Sequence, residues 1–232
     1  MKLPNIAIDG PAASGKTTVA RLLAKKLGLV FLDTGAMYRT IALLALEQGI
    51  DSSDQEALTA LAEHCNMSVR AAASDLGYAV ETDGRDVTEL LHEPRIDKAV
   101  AAVAKISGVR RSLVRRQQEM AARGGIIMVG RDITTVVMPD AEFKFFLDAD
   151  VKERAKRRYL ELCQQGSSIG AEEVLEQMRA RDYEDAHRSD SPLVLAEGVT
   201  RFDSTGLTIE QVVEGLSHEF RAFSERARSE KG

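Results

Sequence analysis

Little in this sequence of 232 residues points to export, a membrane or a metal centre. Cys65 and Cys163 are the only cysteines and have no CxxC spacing, so we expect free thiols and a cytoplasmic protein. No apolar run approaches the length of a membrane span, and Asp9 interrupts the N-terminus before a signal-peptide core could form. The four histidines lack zinc-ligand spacing, and no Ser-His-Asp arrangement is evident.

The charge balance is mildly acidic. Subtracting 36 Asp and Glu from 31 Lys and Arg gives a net charge of −5, which argues against a nucleic-acid partner. Small anions can still bind, because local arginine clusters override a weakly acidic total. The hydrophobic content of 44% allows a sizeable core, and the length suits one domain with a small insertion.

Apolar runs alternate with amphipathic stretches, a pattern typical of βα units around a mainly parallel sheet. The candidate strands are Asn5–Asp9, Val30–Asp33, Ile126–Val129, Phe143–Asp148 and Val199–Asp203. Candidate helices span Lys16–Leu27 and Met37–Leu46, a capping box at Ser53 and Glu56 predicts a third helix to about Cys65, and Thr208 with Gln211 predicts the start of the last helix.

The segment Met67–Leu91 breaks this alternation. Its residues alternate between apolar and polar, and Asp83-Gly84 is a pair typical of hairpin turns. We expect a small antiparallel insertion of two or three strands, followed by helices over Pro94–Ile106 and Val109–Ala122.

The stretch GPAASGKT, Gly10–Thr17, fits the pattern GxxxxGK[ST] at every fixed position. In such a loop the backbone N–H groups and the following helix N-terminus bind a polyphosphate. Lys16 can reach the outer phosphates, and the Thr17 hydroxyl can ligate Mg²⁺. A plain glycine-rich turn is the alternative. The full match between an apolar strand and an amphipathic helix favours a nucleotide donor site.

Three further segments carry arginines: FLDTGAMYR at Phe31–Arg39, VGRDITTVVMPD at Val129–Asp140 and RARDYEDAHRSDSP at Arg179–Pro192. The first two follow apolar strands, where open α/β sheets bind ligands. Each segment alone could be a turn or a salt-bridged surface. Together with a donor loop they favour phosphoryl transfer, because arginine pairs bidentately with phosphate and neutralises the transferring charge.

At this point the chain resembles the bacterial-type cytidylate kinases over nearly its whole length. The motifs that carry the resemblance are IDGPAASGKTT, LDTGAMYR, VRRSLVRRQ, GRDITTVV, FFLDA, ERAKRR, RARDYEDAHR and DSTGLTIEQV. The resemblance implies a P-loop nucleoside monophosphate kinase fold of class α/β, with a five-stranded parallel sheet flanked by helices. The implied units are a core (1–65, 107–152 and 184–232), a nucleotide-binding insertion (66–106) and a short lid with flanking helices (153–183). It also implies a monomer that uses ATP and Mg²⁺ to phosphorylate CMP or dCMP.

The same resemblance implies residue roles. ATP would be held by Gly10, Pro11, Ala12, Ala13, Ser14, Gly15, Lys16, Thr17 and Thr18, with Thr17 on the metal. The acceptor would contact Thr34, Arg39, Arg110, Arg131, Asp132, Arg181, Asp185 and Arg188: Arg39, Arg131 and Arg188 at its phosphate, Arg181 and Asp185 at the ribose, Arg110 and Asp132 at the base. Catalysis would rest on Lys16, Arg131, Arg157, Arg158 and Arg188, with Arg154 joining the lid arginines over the ATP phosphates when the lid closes.

Elementary chemistry supports the base-reading pair. An arginine can donate to O2 and N3 of cytosine, and a carboxylate can accept from N4, whereas uracil reverses two of these groups. Three residues depart from the family pattern: Ala101 stands where a serine is usual, Thr134 where a glycine is, and Val129 where an acid is frequent. CMP against dCMP preference, tolerance of UMP, the effect of Ala101 and the state of the lid stay open.

Other classes remain as alternatives. A kinase for another small acceptor, such as a sugar acid or shikimate, is opposed by Arg110, Asp132 and the hairpin insertion. A GTPase switch would need an NKxD-type motif, and an ATP-driven motor or transporter domain would need an LSGGQ-like signature; the sequence contains neither.

Overall fold

The computed structural model describes residues 3–72, 74, 76–164, 166–188 and 190–229. Its strands are β1 (Ile6–Asp9), β2 (Val30–Asp33), β3 (Met67–Ala71), β4 (Tyr78–Thr82), β5 (Arg85–Asp86), β6 (Ile126–Gly130), β7 (Phe143–Asp148) and β8 (Thr200–Asp203). Its helices are α1 (Lys16–Leu27), α2 (Thr34–Glu47), α3 (Gln55–His64), α4 (Pro94–Val103), α5 (Ser107–Ala121), α6 (Val151–Gln164), α7 (Ala171–His187) and α8 (Ile209–Ser229).

The main sheet contains five parallel strands in the order β2-β6-β1-β7-β8. The predicted sheet is therefore confirmed, and each strand begins and ends within one residue of its prediction. Strand β1 is central, with Ile6 paired to Ile127 on one side and to Phe143 on the other. Because both faces of β1 are covered, its apolar residues are fully buried. The carboxyl ends of β1, β2 and β6 meet at one edge, where ligands bind in such sheets.

Two helix starts were predicted from capping boxes, with different outcomes. The box at α8 is confirmed: the Thr208 N–H donates to the Gln211 side chain at 2.9 Å, and the Gln211 N–H donates to the Thr208 hydroxyl at 3.3 Å. The box at Ser53 is wrong. Asp54 caps α3 instead, and the Ser53 hydroxyl donates to Asp51 at 2.6 Å, so that hydroxyl is used before the helix begins.

The predicted antiparallel insertion is also confirmed as a three-stranded sheet, β3-β4-β5. Asp83 (φ 50°) and Gly84 (φ 78°) join β4 to β5 in the left-handed conformation that two-residue hairpin turns favour. A 3₁₀ turn at Glu89–His92 leads into α4, which packs against α2. Positions 73 and 75 of the predicted insertion and position 165 of the predicted lid lie outside the described residues.

In the described part of the chain, no helix combines the length and the apolar character that crossing a membrane would need.

Candidate active site

The donor loop between β1 and α1 curves because three of its residues have positive φ. These are Gly10 (φ 155°), Ala13 (φ 55°) and Gly15 (φ 85°). A Cβ at Gly10 would lie 2.1 Å from the carbonyl oxygen of Leu147, so only glycine fits there. No side chain caps the N-terminus of α1, and its first-turn N–H groups can therefore serve a bound phosphate. The loop thus has the form that the GxxxxGK[ST] motif predicts.

Lys16 lies in this loop as a buried cation among other cations. Its Nζ donates to the carbonyl oxygen of Pro11 at 2.8 Å. Burial, and then repulsion from Arg131, hold the pKa of Lys16 well below its ordinary value, while Asp33 and Asp185 oppose that shift. The positive charge of Lys16 is therefore destabilised until an anion approaches. A bound polyphosphate would supply the negative charge that stabilises protonated Lys16.

Thr17 and Asp33 join the donor loop to the next strand end. The Thr17 hydroxyl donates to Oδ2 of Asp33 at 3.1 Å. The other oxygen of Asp33 accepts the Gly35 N–H at 2.9 Å and caps α2, which therefore begins three residues before the predicted Met37. A hydroxyl and a carboxylate oxygen side by side suit Mg²⁺, which prefers oxygen ligands. The residues present therefore fit the implied metal.

The predicted base-reading pair forms a buried ion pair. Nη2 of Arg110 on α5 lies 2.5 Å from Oδ2 of Asp132, which follows β6, and their side chains are 4% and 8% exposed. The Arg110 guanidinium also lies 5.9 Å from the ring centroid of Tyr38 on α2. Burial raises the pKa of Tyr38 to about 12, so its hydroxyl stays protonated. Oδ2 of Asp190 lies 3.7 Å from Nε of Arg110.

The predicted phosphate and ribose residues also meet. Nε of Arg131 donates to Oδ2 of Asp185 on α7 at 2.7 Å. Burial is the largest single influence and would raise the pKa of Asp185, but Arg131, Arg181 and Arg188 together outweigh it and the pKa is lowered. Arg181 lies within electrostatic reach of Arg131, Asp185 and Arg39. The structure therefore gathers these side chains beside Lys16, on the acceptor side of the donor loop.

Thr34 and Arg188 each donate one hydrogen bond to the protein backbone. The Thr34 hydroxyl donates to the carbonyl oxygen of Val129 at 2.8 Å, so it has only its lone pairs left for a ligand. Nε of Arg188 donates to the carbonyl oxygen of Ser191 at 2.6 Å. Ser191 has a positive φ of 51°.

Arg39 and Arg158 both contact one carboxylate. Nη2 of Arg39 lies 3.1 Å from Asp97 on α4, and Nη2 of Arg158 on α6 lies 3.6 Å from the other oxygen of Asp97. Arg158 also pairs with Glu161 at 2.9 Å. Asp97 on α4 therefore links α4 to α2 and to α6.

The other two lid arginines differ from one another. Arg157 pairs with Glu153 and donates to the carbonyl oxygen of Ser204, close to Gly15 of the donor loop. The side chain of Arg154 is buried. It donates to the carbonyl oxygens of Ala149 and Ala12 and pairs bidentately with Asp182. Each of its three nitrogens therefore has a protein partner here, and the expectation that Arg154 covers the ATP phosphates when the lid closes stays a prediction.

Several buried side-chain donors in the described residues have no hydrogen-bond partner, and most of them lie in this cleft. Those in the cleft are the Ser14 and Tyr38 hydroxyls, Nε of Arg39, Nε of Arg110 and Nη2 of Arg188. Buried donors of this kind destabilise a protein unless a ligand satisfies them. Their clustering indicates a ligand that accepts hydrogen bonds at several points.

Sequence reasoning missed four acidic residues with roles here: Asp9, Asp33, Asp97 and Asp182. Asp9 and Asp33 end apolar strands beside the donor loop, a position that could have singled them out. Asp97 and Asp182 lie on helices among many other charged residues, and nothing in the sequence distinguishes them.

The sheet order, the phosphate-binding loop and the facing arginines define a phosphotransferase of the nucleoside monophosphate kinase class. The family model described as cytidylate kinase matches residues 6–222. The chain belongs to the cytidylate kinase family.

Curated relatives agree with the family model. A cytidylate kinase of Pelotomaculum thermopropionicum is 46% identical over 210 residues, which cover 90% of this chain and 92% of the relative. One of Caldanaerobacter subterraneus subsp. tengcongensis is 46% identical over 216 residues, covering 93% and 94%. Among solved structures, shikimate kinase from Acinetobacter baumannii in complex with shikimate is 16% identical, covers 95% of this chain and 94% of its own, and has a TM-score of 0.49.

Proposed function

We propose that this protein transfers the γ-phosphate of ATP to CMP or dCMP, giving ADP and CDP or dCDP. The observation that carries the proposal is the buried Arg110–Asp132 pair, which lies at the same sheet edge as the donor loop. The arginine offers donors for O2 and N3 of cytosine, and the carboxylate accepts from N4. Uracil would place its N3–H against the arginine and its O4 against the carboxylate, and such mismatches cost about 10²-fold or more.

On the donor side, the loop Gly10–Thr18 holds the phosphates of ATP through its backbone N–H groups. Lys16 approaches the outer phosphates, and its lowered pKa rises when their negative charge arrives. Thr17 and Asp33, whose side-chain oxygens lie 3.1 Å apart, would hold Mg²⁺. When bound, Mg²⁺ neutralises charge on the phosphates.

On the acceptor side, we assign the phosphate of CMP to Arg39, Arg131 and Arg188 and its ribose to Arg181 and Asp185. The unpartnered nitrogens of Arg39 and Arg188 support this assignment, because each has a donor left to give. The Arg131–Asp185 pair supports it as well, since it fixes one phosphate ligand beside one ribose ligand.

The reaction needs no covalent enzyme intermediate. An oxygen of the acceptor phosphate attacks the γ-phosphorus, and the bond from that phosphorus to the β,γ-bridging oxygen breaks. Lys16, Arg131 and Arg188 neutralise the charge spread over the transferring group, with Arg157 and Arg158 joining from the lid. Closing the insertion and lid over both nucleotides excludes water and suppresses hydrolysis.

We further propose that the protein acts as a cytoplasmic monomer on small-molecule nucleotides. Its two cysteines, Cys65 (buried) and Cys163 (exposed), are free thiols, as expected in a reducing compartment.

A coupled assay of ADP release tests the proposal directly. With ATP and Mg²⁺, the expected kcat/KM for CMP and dCMP exceeds that for UMP and AMP by about 10²-fold. Shikimate and a sugar acid, as further acceptors, should give no release above the acceptor-free rate. Equal turnover of all four nucleotides, or release that no acceptor stimulates, would overturn the assignment.

A further inference from the structure

Asp9, the last residue of β1, holds the turn that carries the base-reading carboxylate. Its side chain is fully buried. Oδ1 accepts the Ile133 N–H at 2.9 Å, and Oδ2 accepts the Thr134 N–H at 2.8 Å. These two N–H groups begin a π-helical turn, Ile133–Val137, directly after Asp132. One carboxylate therefore fixes the start of this turn relative to the central strand and to the donor loop, which begins at the next residue.

The Thr134 hydroxyl adds a third hydrogen bond to the same carboxylate. Its Oγ1 donates to Oδ2 of Asp9 at 2.7 Å, and the threonine is only 3% exposed. Burial raises the pKa of Asp9, as does the neighbouring Asp132, while the bonds from Thr134 and Ile133 lower it. A hydrogen bond to a charged group is about twice as strong as one between neutral groups. The hydroxyl therefore helps to keep Asp9 ionised and in place.

The backbone of Asp132 is tied to the turn that Asp9 anchors. It lies between Gly130–Arg131 and the π turn, with the unusual dihedrals φ −142° and ψ 23°. Its carbonyl oxygen accepts the N–H groups of Val136 and Val137 at 2.9 and 3.1 Å, so its peptide moves with the turn. A shift of the turn therefore displaces the Asp132 carboxylate relative to Arg110. A misplacement of about 1 Å can cost about 10²-fold in an active site.

We propose that Thr134 is a positioning residue for base recognition: its hydroxyl, through Asp9, holds the Asp132 carboxylate where it reads the cytosine amino group. The inference rests on the proposed function. The hydroxyl should matter less for ATP, because β1 is hydrogen-bonded to β6 and β7 on both sides and fixes the start of the donor loop without it.

The test compares Thr134→Val, which keeps the side-chain shape without the hydroxyl, with Thr134→Ser, which keeps the hydroxyl. Thr134→Val should lower the ratio of kcat/KM for CMP over UMP by about five- to twentyfold. The KM for ATP should stay within about twofold, and Thr134→Ser should restore most of the ratio. If Thr134→Val does not fold, Thr134→Ala replaces it with the same expected loss.

Thr40→Val is the matched control. Thr40 is fully buried like Thr134, but its hydroxyl donates within α2, to the carbonyl oxygen of Ala36 at 2.9 Å. It should lose stability without changing the CMP to UMP ratio. An unchanged ratio in Thr134→Val, an equal loss in Thr134→Ser, or an equal loss in Thr40→Val would overturn the inference. Failure of the proposed function would show separately, as a wild-type protein that does not prefer CMP.

Discussion

The carboxylate of Asp97 on α4 lies 3.1 Å from Nη2 of Arg39 on α2, where the acceptor phosphate is proposed to bind. The other oxygen of Asp97 lies 3.6 Å from Arg158 on α6. One carboxylate on α4 thus contacts an arginine of α2 and an arginine of α6. A phosphate that binds Nη2 of Arg39 must compete with Asp97 for it.

Asp97→Asn should therefore strengthen acceptor binding. The side chains of this pair are partly exposed, and exposed ion pairs contribute about 0.2–1 kcal/mol, so the KM for CMP should fall by about 1.5- to fivefold. Steady-state kinetics at saturating ATP measure this. Glu161→Gln is the control, because Glu161 pairs with Arg158 on its own helix. A KM for CMP that stays the same or rises in Asp97→Asn would refute the competition.

Lys16→Ala should lower kcat by about 10²-fold or more, because it removes a cation that acts on the transferring phosphate. Lys26→Ala is a matched control: Lys26 lies on the same helix and pairs with Glu214 away from the loop. Circular dichroism should show both variants folded. Near-normal turnover in folded Lys16→Ala would remove Lys16 from the mechanism.

Lys16→Met should raise the free energy of unfolding of the nucleotide-free protein at pH 7. Burial and Arg131 lower the pKa of Lys16, so its protonated form is less stable in the native state than in the unfolded chain. The gain should shrink as the pH rises towards 10.5, where the unfolded chain also loses this proton. Urea titrations at several pH values measure the difference. A variant less stable than wild type at neutral pH would show that the Pro11 hydrogen bond outweighs the burial of charge.

Ala13→Gly should stabilise the fold by up to about 1 kcal/mol. Ala13 has a φ of 55°, a left-handed conformation that costs about 1–2 kcal/mol for a residue with a Cβ. The greater freedom of glycine in the unfolded chain offsets about 0.5–1 kcal/mol of the gain. Ala12→Gly, at a position without positive φ, should instead destabilise the fold. Thermal melts of both variants should move in opposite directions, and a common direction would contradict the strain at Ala13.

Local patterns predicted much of this fold because they act over a few residues. The apolar runs located all five strands of the main sheet, and Asp83-Gly84 located the hairpin of the small antiparallel sheet. The box at Ser53 misled because Asp51 and Asp54 offer competing local acceptors. Which of these acceptors caps the helix depends on the backbone geometry, and the spacing of residues in the sequence does not specify it.

Motifs singled out the cations of the candidate site and two of its anions, Asp132 and Asp185, but not Asp33 or Asp97. Motifs located Lys16 and Arg131, whereas Asp33 and Asp97 act through neighbours that are distant in sequence. The motif ERAKRR also groups Arg154 with Arg157 and Arg158, but it does not distinguish their contacts. The side chain of Arg154 is buried and pairs with Asp182. Ala101, where the family usually has serine, lies exposed on α4.

The central claim is that Arg110 and Asp132 read cytosine, and Asp132→Asn tests it most directly. The amide can donate to O4 of uracil as well as accept from the cytosine amino group. The measurement is kcat/KM for CMP and for UMP in the wild type and in this variant, at saturating ATP. We expect the wild type to prefer CMP by about 10²-fold and the variant to lose most of that preference, mainly through weaker use of CMP. A CMP to UMP ratio that is the same in both proteins would contradict the claim.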